Sequence, residues 1–105
     1  MIVSGYSDFT TAKEHYDNGD YVQSIHHSYK SLLANNENKK VIKLFEKTYP
    51  LALDQHFAQI DELSLKETDS KWPKIARKYR DLNKLNGYVV NLKLLLKEQR
   101  DYDLD

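Results

Sequence analysis

The chain has 105 residues, 40% hydrophobic and 30% charged, with sixteen basic side chains balanced by sixteen acidic ones. A chain of this length fits one domain that buries roughly two thirds of its unfolded surface, and its balanced charge gives no overall field to steer it toward nucleic acid or anionic lipid. The lack of cysteine excludes disulfides, thiolate metal sites and cysteine nucleophiles, no apolar run approaches the ~20 residues of a membrane span, and three glycines and two prolines favour helix throughout.

Residues 1–6, MIVSGY, precede the first helix signal and read as a tail with two possible origins. One is a frayed start. The other is the remnant of an export signal, because Ile2-Val3-Ser4-Gly5 resembles the residues before the lipidated cysteine of bacterial lipoproteins; Tyr6 holds that position here, so no lipid can be attached. The second origin would place the protein in the cell envelope, the first in the cytoplasm.

Helix one is expected from Ser7 to Asn18, with Phe9, Ala12 and Tyr16 at helical spacing and Ser7 or Asp8 as N-cap. Gly19 can take the left-handed conformation that ends it, and Asp20 is placed to cap helix two, marked by Tyr21, Ile25, Ser28, Tyr29, Leu32 and Leu33. After the Asn35-Asn36-Glu37-Asn38 turn comes the longest apolar rhythm in the chain, within Asn36 to Glu67. Val41, Ile42, Leu44, Phe45, Thr48, Tyr49, Ala52, Leu53, His56, Phe57, Ile60 and Leu63 give this rod a greasy side that its neighbours must cover. Pro50 interrupts the hydrogen bonding of the rod, but the apolar phase survives it, which argues for a kinked continuous helix. Asp69 or Ser70 would cap helix four, with Pro73 in its first turn and Trp72, Ile75, Ala76, Tyr79, Leu82 and Asn86 as its apolar face. Asn86-Gly87 reads as a stop, followed by helix five through Tyr88, Val89, Leu92, Leu95, Leu96 and Gln99, or by an extension of helix four. Residues 101–105 read as an acidic frayed end.

The segment from Ala12 to Asn36 resembles a tetratricopeptide repeat unit, carried by Ala12, Tyr16, Gly19-Asp20-Tyr21, Ser24-Ile25, Ser31-Leu32 and Asn35-Asn36. Serines stand at 24, 28 and 31, where the family usually has alanine. The resemblance implies two closely packed antiparallel helices and a role in binding a protein or peptide. The segment from Lys71 to Leu85 is loosely similar to a region that follows such repeats in some bacterial envelope proteins.

Few patterns point to chemistry. No two of His15, His26, His27 and His56 are three or four residues apart, the spacing a helical metal pair needs, and no cofactor is expected. The adjacent histidines of helix two should point two ways. There is no phosphate loop, nucleophile elbow or zincin motif, so no enzyme activity is expected. Lys71, Lys74, Arg77, Lys78, Arg80 and Lys84 outnumber the single Asp81 in helix four, forming a solvated face or a strip that contacts phosphate. With Trp72 and Tyr79 assigned to the buried side, the interleaving that a single-strand platform needs is missing, so nucleic acid is not the expected partner. Tyr16, Tyr21, Tyr29, Tyr49, Tyr79 and Tyr88 fall at or beside core positions, and some could line a groove.

The resulting expectation is a single all-α domain over residues 1–105 with about five helices: a tetratricopeptide-like hairpin, a long kinked central helix and a C-terminal helix pair. It would act as a non-catalytic protein or peptide interaction module, with Tyr29, Tyr88, Lys74, Arg77, Lys78 and Lys84 as contact candidates. The alternatives are phosphate or nucleic-acid binding through residues 71–84, and a self-associating spacer in which Val90, Leu94 and the Leu94-Leu95-Leu96 run pair with a second copy.

Overall fold

A computed structural model describes the backbone of residues 4–104 and the side chains of residues 9–93. Among the described residues there is no strand, and the chain forms four helices: α1 (Ser4–Asp17), α2 (Tyr21–Ala34), α3 (Lys39–Ser64) and α4 (Lys71–Leu104). Among the described residues no helix is long and apolar enough to cross a membrane. The tail and C-terminal fraying expected from sequence are corrected in part. Residues 4–6 belong to α1 and residues 101–104 to α4, so Ser7 and Asp8 lie inside a helix and not at its cap. Residues 1–3, and with them Ile2 and Val3 of the lipoprotein-like stretch, lie outside the described residues, as do the side chains of Leu94, Leu95 and Leu96.

The α1–α2 turn follows from one glycine. Gly19 has φ +79°, a conformation costly for other L-residues, and its N–H bonds to Tyr16 O at 3.0 Å while Asp20 N–H bonds to His15 O at 2.8 Å. Those two bonds satisfy carbonyls that the helix end would otherwise leave open. The Gln55 amide donates to Gly19 O at 3.0 Å, fixing the turn against α3. Asp20 occupies the N-cap position of α2, but its carboxylate makes no cap bond and lies 3.6 Å from His15 Nδ1. By contrast Asn38 caps α3 fully, its Oδ1 accepting from Lys40 and Val41 N–H.

α3 runs unbroken through Pro50. Pro50 and Glu46, whose carbonyl loses its donor, are both on the exposed side, while Thr48 and Ala52 face the core. The unmade bond therefore opens to water and the helix continues. At the far end the Lys71 ammonium donates to Ser64 O at 3.1 Å and Lys66 O at 2.8 Å, closing the last turn of α3 from the first residue of α4.

α4 is one helix through Gly87, the extension that the sequence left open and not the helix pair. Gly87 has no positive φ and a Cβ built there would meet nothing, so it passes as an ordinary helical residue. At 34 residues α4 is about 51 Å long and accounts for most of the 58 Å long axis of the molecule.

His56 meets Asp81 and Gln59 meets Lys78, so α3 and α4 are antiparallel, whereas His26 meets Tyr88 and Tyr29 meets Asn91, so α2 and α4 run parallel. The core has two parts. Ile25, Leu32, Val41, Phe45, Ala52, Leu85 and Leu92 join α2, the first half of α3 and the middle of α4. Ile60, Ile75 and Leu82 form a smaller cluster where only α3 and α4 meet. On α2, Ser24, Ser28 and Ser31 are fully buried, as is Ala12 of the adjacent α1.

The apolar face assigned to helix four holds at Ile75 and Leu82 and needs correction at its other positions. Trp72 is 60% exposed, Tyr79 50%, and Ala76 and Asn86 are exposed too, while Ile75, Leu82, Leu85 and Leu92 are buried. Lys78 and Asp81 sit on the α3-facing side because they have partners there: Lys78 Nζ donates to Gln59 Oε1 at 2.6 Å, and buried His56 donates through Nε2 to Asp81 Oδ2 at 3.2 Å. Phe57 of α3 and Leu33 of α2, both counted as core marks, are 49% and 55% exposed.

Candidate functional site

Where α2, α3 and α4 converge, the parallel run of α2 and α4 leaves a groove of about 270 Å³. Leu32, Ile42, Phe45, Val89 and Leu92 make its walls, with Asn36, Glu46 and Lys93 at the edges. α3 and α4 each contribute two apolar side chains one turn apart, Ile42 with Phe45 and Val89 with Leu92, and α2 adds Leu32, so the apolar walls come from helix faces and not from a loop.

One turn along, the same two parallel helices bring Tyr29 and Tyr88 together with ring centroids 3.9 Å apart and planes 15° from parallel. Their hydroxyls are anchored separately. Tyr88 OH shares a 2.7 Å hydrogen bond with His26 Nδ1, and Asn91 Nδ2 donates to Tyr29 OH at 2.9 Å. Residues 26 and 29 on α2 thus interlock with 88 and 91 on α4, two i, i+3 pairs facing each other. Burial, and then the charge of Lys84, hold His26 below its ordinary pKa, and burial together with the neighbouring Tyr29 raises that of Tyr88. Both shifts favour neutral forms. A tyrosine held protonated is a hydrogen-bonding and packing surface, the opposite of the lowered pKa that activates a nucleophile.

The other contact candidates separate. Lys74, Arg77 and Lys78 line a second, polar cleft between the end of α3 and the start of α4, with Gln59, Glu62, Leu63, Lys66 and Asp81. Lys84 is not among its walls; it lies close enough to His26 for its charge to matter there. Lys71 is occupied with the end of α3 and sits 4.8 Å from the centre of the Trp72 ring. The single basic strip read from sequence is therefore divided into three environments, and the aromatics placed on its buried side, Trp72 and Tyr79, are exposed.

The histidines also disperse. His27 stacks on His15 of α1 at 5.2 Å, His26 turns to α4, and His56 is buried 25 residues before its partner Asp81. Among the described residues no three metal-ligating side chains converge. Val90, a residue of the proposed self-association face, is 48% exposed.

Sequence reasoning missed His26, Asn91 and the groove walls as a unit. The available signal was the matching i, i+3 spacing of His26/Tyr29 and Tyr88/Asn91, which becomes meaningful only once α2 and α4 are known to be parallel neighbours. No family model matches the chain, and no curated protein or solved structure matches it.

Proposed function

We propose that this protein is a non-catalytic interaction module that holds a partner protein or peptide in the groove between α2, α3 and α4, beside the Tyr29–Tyr88 pair. The observation that carries the reading is an apolar groove of about 270 Å³ lined by Leu32, Phe45, Val89 and Leu92. It falls just under the roughly 300–1,000 Å³ of small-molecule pockets and suits one or two apolar side chains offered by a partner segment. Tyr29 and Tyr88, already ordered by stacking and by His26 and Asn91, add contact area at low entropic cost. Glu46 and Lys93 at the groove edges supply charges of opposite sign that would orient such a segment. The tetratricopeptide-like residues of Ala12 to Asn36 support the same class of role.

The test compares wild type with Val89→Glu, which places a charge in the groove, and with Arg80→Gln, away from it. Proteins recovered by crosslinking and pull-down from the native source with wild type and Arg80→Gln, and lost with Val89→Glu, support the proposal. Recovery unaffected by Val89→Glu, or stabilisation by a small ligand with no protein partner, rejects it. Sedimentation of the same three proteins shows whether the partner is a second copy of the chain.

A further inference from the structure

We infer that the polar cleft between α3 and α4 is a second binding site, for a small, multiply charged anion of the phosphate class. It has a volume of about 400 Å³ and lies about 20 Å along α4 from the apolar groove, so it is independent of the function proposed above. Its walls carry four cations, Lys66, Lys74, Arg77 and Lys78, against two carboxylates, Glu62 and Asp81.

The pairing pattern is what points to a ligand. Arg77 has its natural helical partner, Asp81, four residues on, yet Asp81 is turned to buried His56 at 3.2 Å. Glu62 stands four residues before Lys66 without bonding it, and among the described residues Lys66, Lys74 and Arg77 have no ion pair. Elsewhere in the chain Lys13 and Asp17 do form such an i, i+4 pair, at 2.8 Å. Lys78 is held at the cleft wall by Gln59 at 2.6 Å. Three uncommitted cations and one positioned lysine, supplied by two different helices, surround a volume large enough for a phosphomonoester or pyrophosphate group. The Arg77 guanidinium offers a planar fork to two anion oxygens, and the lysines act as point charges around it. Glu62 opposes the anion and sets how tightly it is held.

The test is calorimetric titration of inorganic pyrophosphate and inorganic phosphate at constant ionic strength, with helix content checked by circular dichroism. Pyrophosphate should bind one to one and more tightly than phosphate. Arg77→Gln should weaken it about tenfold or more, Lys74→Gln in the same direction, and Glu62→Gln should tighten it about two- to fivefold. Lys84→Gln, outside the cleft, should leave it unchanged. Vesicles of phosphatidate in phosphatidylcholine identify the source of the anion: binding with the same Arg77 and Glu62 pattern assigns a lipid headgroup, and pyrophosphate binding without it assigns a soluble phosphate compound. The inference falls if neither pyrophosphate nor phosphatidate binds at constant ionic strength, or if Lys84→Gln weakens binding as much as Arg77→Gln. It also falls if a single-stranded oligonucleotide binds more tightly than pyrophosphate and depends equally on Arg80 and Lys84, since that would describe an extended strip and not a cleft.

Discussion

Replacing Gly87 by alanine distinguishes one long C-terminal helix from two short ones. In α4 the backbone at Gly87 is helical, and an added Cβ has nothing within 4 Å to strike. Alanine there removes unfolded-state freedom and gains helix propensity, so it should stabilise the protein by about 0.5–1 kcal/mol. For a domain of this size that is a rise in Tm of roughly 2–8 °C. Gly19 provides the opposite control: its φ of +79° also has open space around the Cβ position, so only the backbone resists substitution, and alanine should cost about 1–2 kcal/mol. Urea unfolding followed by circular dichroism, with the m-value checked for constancy, measures both. If Gly87→Ala lowers the midpoint as Gly19→Ala does, Gly87 ends a helix and the continuous α4 is refuted.

Ser28 is fully buried and its hydroxyl has no hydrogen-bond partner among the described residues, so Ser28→Ala should raise stability by about 1 kcal/mol or more in the same urea assay; a loss would mean that the hydroxyl is satisfied in solution. His26 has its pKa lowered from 6.5 by burial first and by Lys84 next, so the unfolded chain binds a proton before the folded one does. Stability should therefore be fully present above pH 6.5 and fall as pH drops from there toward the lowered folded value. His26→Gln should flatten that limb of the stability profile, and an unchanged slope would remove His26 as its source.

The helices themselves were readable because each carries its own local reason: Gly19 for one turn, the Asn35-Asn36-Glu37-Asn38 run for the next, Pro73 in a first turn, and an apolar rhythm in α3 that survives Pro50. What failed was part of the face on α4: Ile75 and Leu82 are buried as expected, but Trp72, Ala76, Tyr79 and Asn86 are not. Sequence reasoning sends charges outward and aromatics inward, but Asp81 and Lys78 turn toward α3 because His56 and Gln59 wait there, and Trp72 and Tyr79 are displaced to solvent. Those partners are on another helix and leave no mark on the periodicity of α4. Gly87 misled for a related reason: glycine beside asparagine is a strong local stop signal, and only packing of Leu85 and Leu92 into one core carries the helix through it. Tyr29 and Tyr88 could each be singled out as contact residues, but their stacking depends on the parallel course of α2 and α4, a tertiary fact.

The uneven division of the core has a dynamic consequence. The larger cluster ties three helices together, whereas Ile60, Ile75 and Leu82 join only the last turns of α3 to the first turns of α4. That end behaves as a two-helix arm whose amides should exchange with solvent through openings that leave the rest of the molecule folded. The cleft that gathers Lys66, Lys74 and Arg77 lies across the same arm, spanning both of its helices. A ligand seated there would be bound in competition with the opening, so its affinity and the protection of the arm amides would rise together, in a part of the molecule that can fasten without disturbing the groove at the other end.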